Sequence, residues 1–263
     1  MAHALKILKV VLLLTMIAWK DVIASPSNGD DAKRCYPPYG CFDSLPPWDN
    51  PFAFKLPESP IKIGTSFKLY NKDKQNGVVL DNTDPTTSDI SAGDKIVVLI
   101  HGLSTQGGHN ESMYLAMRPE LLARTNANGE KYLNVITVDW TGGVRPMSSP
   151  YDFPTLEQTN GNGRLVAVQI SYFLKKLESR GKLSCDDVHI IGFNLGASIA
   201  GLVGKAGRKS PRCIIGRITG LDPILRGFGR VFKAVSNDTK LHSSDAKYVD
   251  VIHTHKDPIF KDQ

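Results

Sequence analysis

The stretch Lys95-Ile-Val-Val-Leu-Ile-His101 constrains the fold more than any other, because it is apolar without alternation from Ile96 to Ile100 and is closed by Gly102. A strand with one wet face alternates apolar and polar residues, whereas a continuous run marks a strand covered on both faces. Further strands are read over Gly64 to Tyr70, Asn134 to Trp140, Val188 to Gly192, Arg217 to Leu221 and Tyr248 to His253. A helix is expected from Leu165 to Ser179, where Val166, Ile170, Phe173, Leu174 and Leu177 recur at helical spacing. A second should start at Leu195, with Gly196, Ala197, Ala200 and Gly201 as small contact surfaces. Strand, crossover helix, strand, repeated, predicts an α/β fold: a mostly parallel sheet with helices on both faces. In such sheets the chemistry collects at the carboxyl ends of the strands.

The flanks carry different signals. Lys6 and Lys9 precede an apolar run from Val10 to Trp19, and Val22-Ile-Ala24 offers small residues for cleavage. This is the layout of a signal peptide over residues 1–24, too short to span a bilayer, and no later stretch reads as transmembrane. Residues 25–62 are Pro-rich with Trp48, Phe52 and Phe54 interleaved, and read as an irregular arm. Residues 63–263 then form one α/β domain, since 41% hydrophobic and 22% charged residues suffice for a single large core. Export predicts paired cysteines. Cys35 and Cys41 enclose a five-residue Pro/Gly turn that a disulfide could staple. Cys185 and Cys213 each lie three residues before a strand, so on parallel neighbours they would share one end, within disulfide reach. The sequons at Asn110 and Asn237 fit the same secreted, extracellular setting. The net charge of +6 is scattered rather than blocked, which points to a solvated surface and away from nucleic acid.

Strand Val188-His-Ile-Ile runs into Gly192-Phe-Asn194-Leu-Gly196 and then a helix. Small residues either side of a central one allow the sharp turn of a nucleophile elbow, which lifts the middle side chain above the sheet. The next strand ends Gly220-Leu-Asp222-Pro223, where a triad acid belongs. Leu99-Ile-His-Gly-Leu103 ends a strand where a backbone N–H, with that of Leu195, could bind an oxyanion.

Taken with Asn134-Val-Ile-Thr-Val-Asp-Trp140, Arg164-Leu-Val166, Gly216-Arg-Ile-Thr-Gly-Leu-Asp-Pro223 and Ser244-Asp-Ala-Lys-Tyr-Val-Asp-Val-Ile-His-Thr254, the chain resembles the pancreatic lipase family of secreted triacylglycerol lipases and phospholipases. The resemblance implies an α/β-hydrolase fold whose C-terminal end is missing, with Asp222 as acid and Leu103 and Leu195 as oxyanion-hole donors. Three departures accompany it. Asn194 stands where serine belongs, and an amide has no ionisable proton for a base to remove. The family's catalytic histidine lies beyond Thr254, and of the histidines present His253 reads as a packed strand residue and His255 as the least poor substitute. The family's calcium loop holds Asn237, Lys240 and His242 at its other ligand positions, leaving Asp245 the only acid. No metal or other cofactor is therefore expected.

Ser198, one turn into the helix, and Ser104 and Thr105, after the oxyanion strand, are read as structural, and Asn194 as a polar helix cap. The expectation is a non-hydrolytic lipase relative that binds lipid, a lipid–water interface or a partner. The rivals are an active ester hydrolase, should the sequence be incomplete, and a yolk-like storage protein. If the chain ends at Gln263, its last strand leaves an edge that invites a protein partner.

Overall fold

The computed structural model describes residues 33–49, 55–85, 90, 93–104, 106–130, 132–146, 153–209, 213–223 and 237–254. The signal segment, Phe52, Phe54, Thr105 and His255 lie outside the described residues. A hairpin of β1 (Lys33–Cys35) and β2 (Cys41–Asp43) leads to the short helix α1 (Pro60–Ile63). Then come β3 (Ser66–Tyr70), β4 (Val78–Leu80), β5 (Lys95–Ile100), helix α2 (Ser112–Ala123), β6 (Leu133–Asp139) and helix α3 (Phe153–Ser179). The chain continues through β7 (Val188–Phe193), helix α4 (Leu195–Arg208), β8 (Arg217–Leu221) and β9 (Tyr248–Ile252).

Seven strands form one sheet in the order β4-β3-β6-β5-β7-β8-β9. β6, β5, β7, β8 and β9 run parallel; β3 is antiparallel to both β6 and β4. The continuous apolar strands are covered on both sides, as their composition requires. Ile96, Val98, Ile100, Ile136 and Ile190 share one core with Leu165, Ile170 and Phe173 of α3 and Ile199 and Val203 of α4. Val97, Leu99, Val135 and Ile191 face the opposite way, onto Tyr114, Met117 and Leu121 of α2.

The arm is not irregular throughout. Its hairpin is closed by a Cys35–Cys41 disulfide and docks through the Tyr36 hydroxyl, which donates to the Pro57 carbonyl at 2.8 Å. The Arg164 guanidinium stacks over Trp48, 4.2 Å from its centroid. Cys185 and Cys213 are also joined, with Cα atoms 5.0 Å apart at the same end of the parallel neighbours β7 and β8.

α3 begins well before the expected Leu165, passing through Gly161 and Gly163. A Cβ at Gly161 would stand 2.2 Å from the Lys55 carbonyl oxygen, and one at Gly163 3.3 Å from Ile199. Close approach to the Lys55 backbone, not a turn, demands glycine at 161, while at 163 a side chain would be tight against Ile199. Between them, the buried Asn162 accepts from the Glu58 N–H at 2.9 Å and donates to the Gly143 carbonyl at 2.8 Å.

Candidate functional site

The candidate site lies at the carboxyl ends of β5, β7 and β8, and glycines build it. A Cβ at Gly192 would meet the Gly196 carbonyl oxygen at 2.2 Å, and one at Gly196 the Ile100 carbonyl oxygen at 2.2 Å. One at Gly102 would fall 2.6 Å from the Asn194 Cβ. The turn thus closes against the end of β5 at distances only glycine tolerates. Asn194 is forced to φ 55° and ψ −117°, outside the regions an L-residue favours. Its N–H donates to the Leu221 carbonyl at 2.8 Å, and its own carbonyl accepts from the Ala197 N–H at 3.1 Å.

The expected cap is not formed. The Asn194 side chain makes no capping bond to α4, and its buried Oδ1 has no hydrogen-bond partner among the described residues. The backbone angles explain this: at ψ −117° the chain is in the elbow geometry rather than in the extended form from which a capping side chain folds back onto the helix. The elbow is intact and the residue at its tip is strained.

Asp222 also has positive φ, at 42°. Its N–H donates to the Ile252 carbonyl at 2.8 Å, and its carboxylate accepts from the Thr254 N–H at 2.6 Å and from the Thr254 hydroxyl. The acid is therefore positioned by the strand that follows it, β9. His253, read above as packed, is exposed, because β9 is the outermost of the described strands.

Sequence reasoning overlooked His101. The ring is fully buried, stacked on Trp140 at 5.3 Å, and bonded on both nitrogens. Nδ1 lies 3.0 Å from the Gly102 carbonyl, and the Trp140 N–H donates to Nε2 at 3.2 Å. A carbonyl only accepts and an N–H only donates, so the ring is neutral with its proton on Nδ1. Burial, which pulls its pKa below the ordinary value, agrees. The His101 N–H donates to the Tyr114 hydroxyl at 2.8 Å, which in turn donates to the Val138 carbonyl at 2.6 Å. This network pins the strand end that leads into Leu103. Among the described residues, no acceptor takes the backbone N–H of Leu103 or of Leu195.

Ser198 is buried inside α4, and the Ser104 hydroxyl donates to the Gln106 carbonyl within its own loop. The sequon residues Asn110 and Asn237 are both exposed. A serine–histidine contact, legible only in three dimensions, stands on the α2 side of the sheet. Ser66 Oγ is 2.9 Å from His109 Nε2, and His109 Nδ1 is 2.8 Å from Thr137 Oγ1.

Calcium takes 6–8 oxygens, and at the positions the family resemblance assigns as ligands the described segment Asn237–Asp245 offers one acidic side chain, that of Asp245. Asn237 is exposed, and the His242 ring caps a short helical turn by accepting from the Ser244 N–H at 3.2 Å. Lys240 contributes only its carbonyl, which accepts from Lys205 Nζ at 2.6 Å. The Asp245 carboxylate is taken by the Lys205 ammonium, by the His242 N–H at 2.9 Å and by the Arg208 guanidinium at 3.3 Å. An ammonium, rather than a set of oxygens, faces the Asp245 carboxylate.

Among the described residues no helix is long and apolar enough to cross a membrane. The family model described as Lipase matches residues 32–262. The chain is 35% identical over 232 residues to the pancreatic triacylglycerol lipase of Myocastor coypus, covering 86% of this chain and 45% of that protein. It is 34% identical to the human pancreatic triacylglycerol lipase, over 94% of this chain and 47% of that protein. To the human inactive pancreatic lipase-related protein 1 it is 35% identical, over 93% of this chain and 48% of that protein. The chain thus spans about half the length of these relatives. A mostly parallel seven-stranded sheet, an elbow after β7 and a match over nearly the whole described chain agree: this chain belongs to the lipase family and has its α/β-hydrolase fold.

Proposed function

We propose that this chain is a secreted lipase-family protein that binds lipid or another ester-bearing ligand without hydrolysing it at the elbow. One observation carries the reading: Asn194, not a serine, occupies the strained tip after β7. The Asn194 amide nitrogen is delocalised into its carbonyl and offers no proton whose removal would make a nucleophile. What surrounds it remains suited to holding an acyl group. Leu103 and Leu195 present backbone N–H groups at the ends of β5 and β7, and Asp222 stands at the end of β8. In this reading they are the oxyanion-hole donors and the acid of a site whose nucleophile is gone. Two disulfides support export, and a relative described as inactive supports loss of hydrolysis within the family.

The test is fluorophosphonate labelling and ester turnover by the secreted chain. The expected result is no label and no turnover above background, because removing a triad nucleophile costs about 10⁶ in kcat. Robust turnover by the unmutated chain, abolished by Asp222→Ala, overturns the proposal. Native mass spectrometry checks the lipid: a lipid carried through purification is expected, and an empty protein removes that part of the reading.

A second reading, ester hydrolysis from another serine, has the Ser66–His109 contact in its favour. Burial lowers the His109 pKa, leaving it neutral and able to accept a proton. Against it, the other ring nitrogen meets the Thr137 hydroxyl, a weaker orienting partner than the carboxylate of a triad. Label that disappears in Ser66→Ala would establish this reading and displace the first.

A further inference from the structure

Asp245 is 1% exposed, and a carboxylate so placed needs positive charge around it. The charge comes from the last two turns of α4. The Lys205 ammonium contacts Asp245 Oδ2 and the Lys240 carbonyl, the latter at 2.6 Å, so it binds one charged and one neutral oxygen of the same loop. Arg208 reaches Oδ1 at 3.3 Å and also donates to the Ser244 carbonyl at 3.2 Å. That contact is an ion pair without hydrogen-bond geometry, so Oδ1 counts as lacking a hydrogen bond while still facing a positive charge. The helix is brought within reach by its glycines. A Cβ at Gly204 would lie 2.1 Å from the Asp245 carbonyl oxygen, and one at Gly201 2.9 Å from the Leu241 Cα.

We infer that the Lys205 ammonium is the resident cation of the 237–245 loop, filling the place between Asp245 and the Lys240 carbonyl that a divalent ion would need and making the loop independent of metal. The balance of charge and ligands points the same way. A calcium ion here would meet one carboxylate, already compensated, and two cationic side chains within contact distance of it. Coulomb repulsion at such separations in a partly dry site opposes binding, and the loop's other acid, Asp238, is felt by Lys205 as well, so its charge is also met by the ammonium. A tethered ammonium has three donors, and two of its acceptors here are Asp245 Oδ2 and the Lys240 carbonyl. The ion pair is almost sealed: the Lys205 side chain is 11% exposed and that of Asp245 0%. The inference does not depend on whether the elbow hydrolyses esters.

The experiment is thermal melting of the whole chain with millimolar calcium and with excess EDTA. Neither should move the wild-type Tm, and a rise with calcium or a fall with EDTA overturns the inference. Lys205→Met keeps the bulk and removes the charge; its Tm should fall by about 10 °C, as expected when one partner of a buried pair is lost. A Lys205→Met variant as stable as the wild type also overturns it. Lys205→Met/Asp245→Asn, which removes both charges, should recover most of the loss. Should the single variant fail to fold, a folded double variant supports the pairing, and a double variant that also fails to fold refutes it.

Discussion

The first and last turns of α4 are both pressed glycine-to-backbone against a neighbour, and they differ in the fate of the polar group each one buries. At the first turn, Gly196 abuts the end of β5, and the Asn194 amide oxygen is buried without a partner among the described residues. At the last turns, Gly204 abuts Asp245, and the buried carboxylate meets Lys205, Arg208 and a backbone N–H. Positive φ on a non-glycine residue and an unsatisfied polar atom each cost about 1–3 kcal/mol. The elbow carries both costs; at the other end no positive φ accompanies the buried group, and Asp245 Oδ1, though it too lacks a hydrogen bond, faces the Arg208 guanidinium. Strain at a nucleophile elbow serves catalysis by exposing a hydroxyl. In the proposed reading the strain at Asn194 serves no nucleophile, and the glycine contacts are what hold it. A paired buried charge, by contrast, serves the fold directly.

This comparison can be broken from its paired end first. Asp245→Asn should cost about 3–5 kcal/mol in chemical denaturation, because it leaves Lys205 and Arg208 without their carboxylate. A loss under 1 kcal/mol would make the two ends of α4 equivalent and the contrast empty. Gly204→Ala comes next. In an exposed helix this change adds about 1 kcal/mol, but here the new methyl meets the Asp245 carbonyl oxygen, so a loss of about 1–3 kcal/mol or more is expected. A gain on denaturation would show that the close approach is absent in solution.

The elbow should respond with the opposite sign. Asn194→Gly removes the unpartnered amide and the penalty at φ 55°, and should stabilise the protein by about 1–2 kcal/mol. A destabilised variant would mean that the amide is satisfied after all. The smallest effect is one of pH. Burial pushes the His189 pKa down to about 4, with Arg217 adding to the shift and Asp250 opposing it. The ordinary value is 6.5, so between 6.5 and about 4 the unfolded chain binds a proton that the folded chain refuses. Stability therefore falls as the pH drops through that window. The effect is on the order of 1 kcal/mol once partial exposure is discounted. Denaturation midpoints that stay flat across the window would refute it. The hydrogen bond from Arg217 holds the Asp250 carboxyl below its ordinary 3.8, so its contribution to stability is lost only at lower pH.

Most of the sheet was legible because its strands are continuous apolar runs, a pattern few other structures produce. β4 was not, since Val78–Leu80 sits in an Asn/Asp-rich stretch and gains its place by pairing with β3. α2 was missed for a related reason. Pro119 lies inside it and its apolar face is thin, yet Met113, Met117 and Leu121 lie at helical spacing over the second core. Lys205 left a faint trace, as one of two cations, with Arg208, that follow Gly201 and Gly204 at the end of an otherwise small and apolar helix. Nothing in the spacing tied it to Asp245, 40 residues away. The serine–histidine contact of Ser66 and His109 was equally invisible, since it joins the start of β3 to a loop after β5.

The sequence by itself determined the α/β class, the parallel strands, both disulfide pairings and the position of the elbow with Asn194 at its tip. Each follows from local pattern: apolar runs, glycine spacing, and cysteines at equivalent offsets from adjacent strands. Only the tertiary structure decided that Asn194 is strained without being a cap, that His101 is a sealed neutral ring, and that Lys205 faces the acid of the 237–245 loop. Those facts depend on which groups distant segments place within about 3 Å of each other, the range over which hydrogen bonds form and fail. Local pattern specifies where a strand or a turn lies along the chain, and carries no information about what stands opposite it in space.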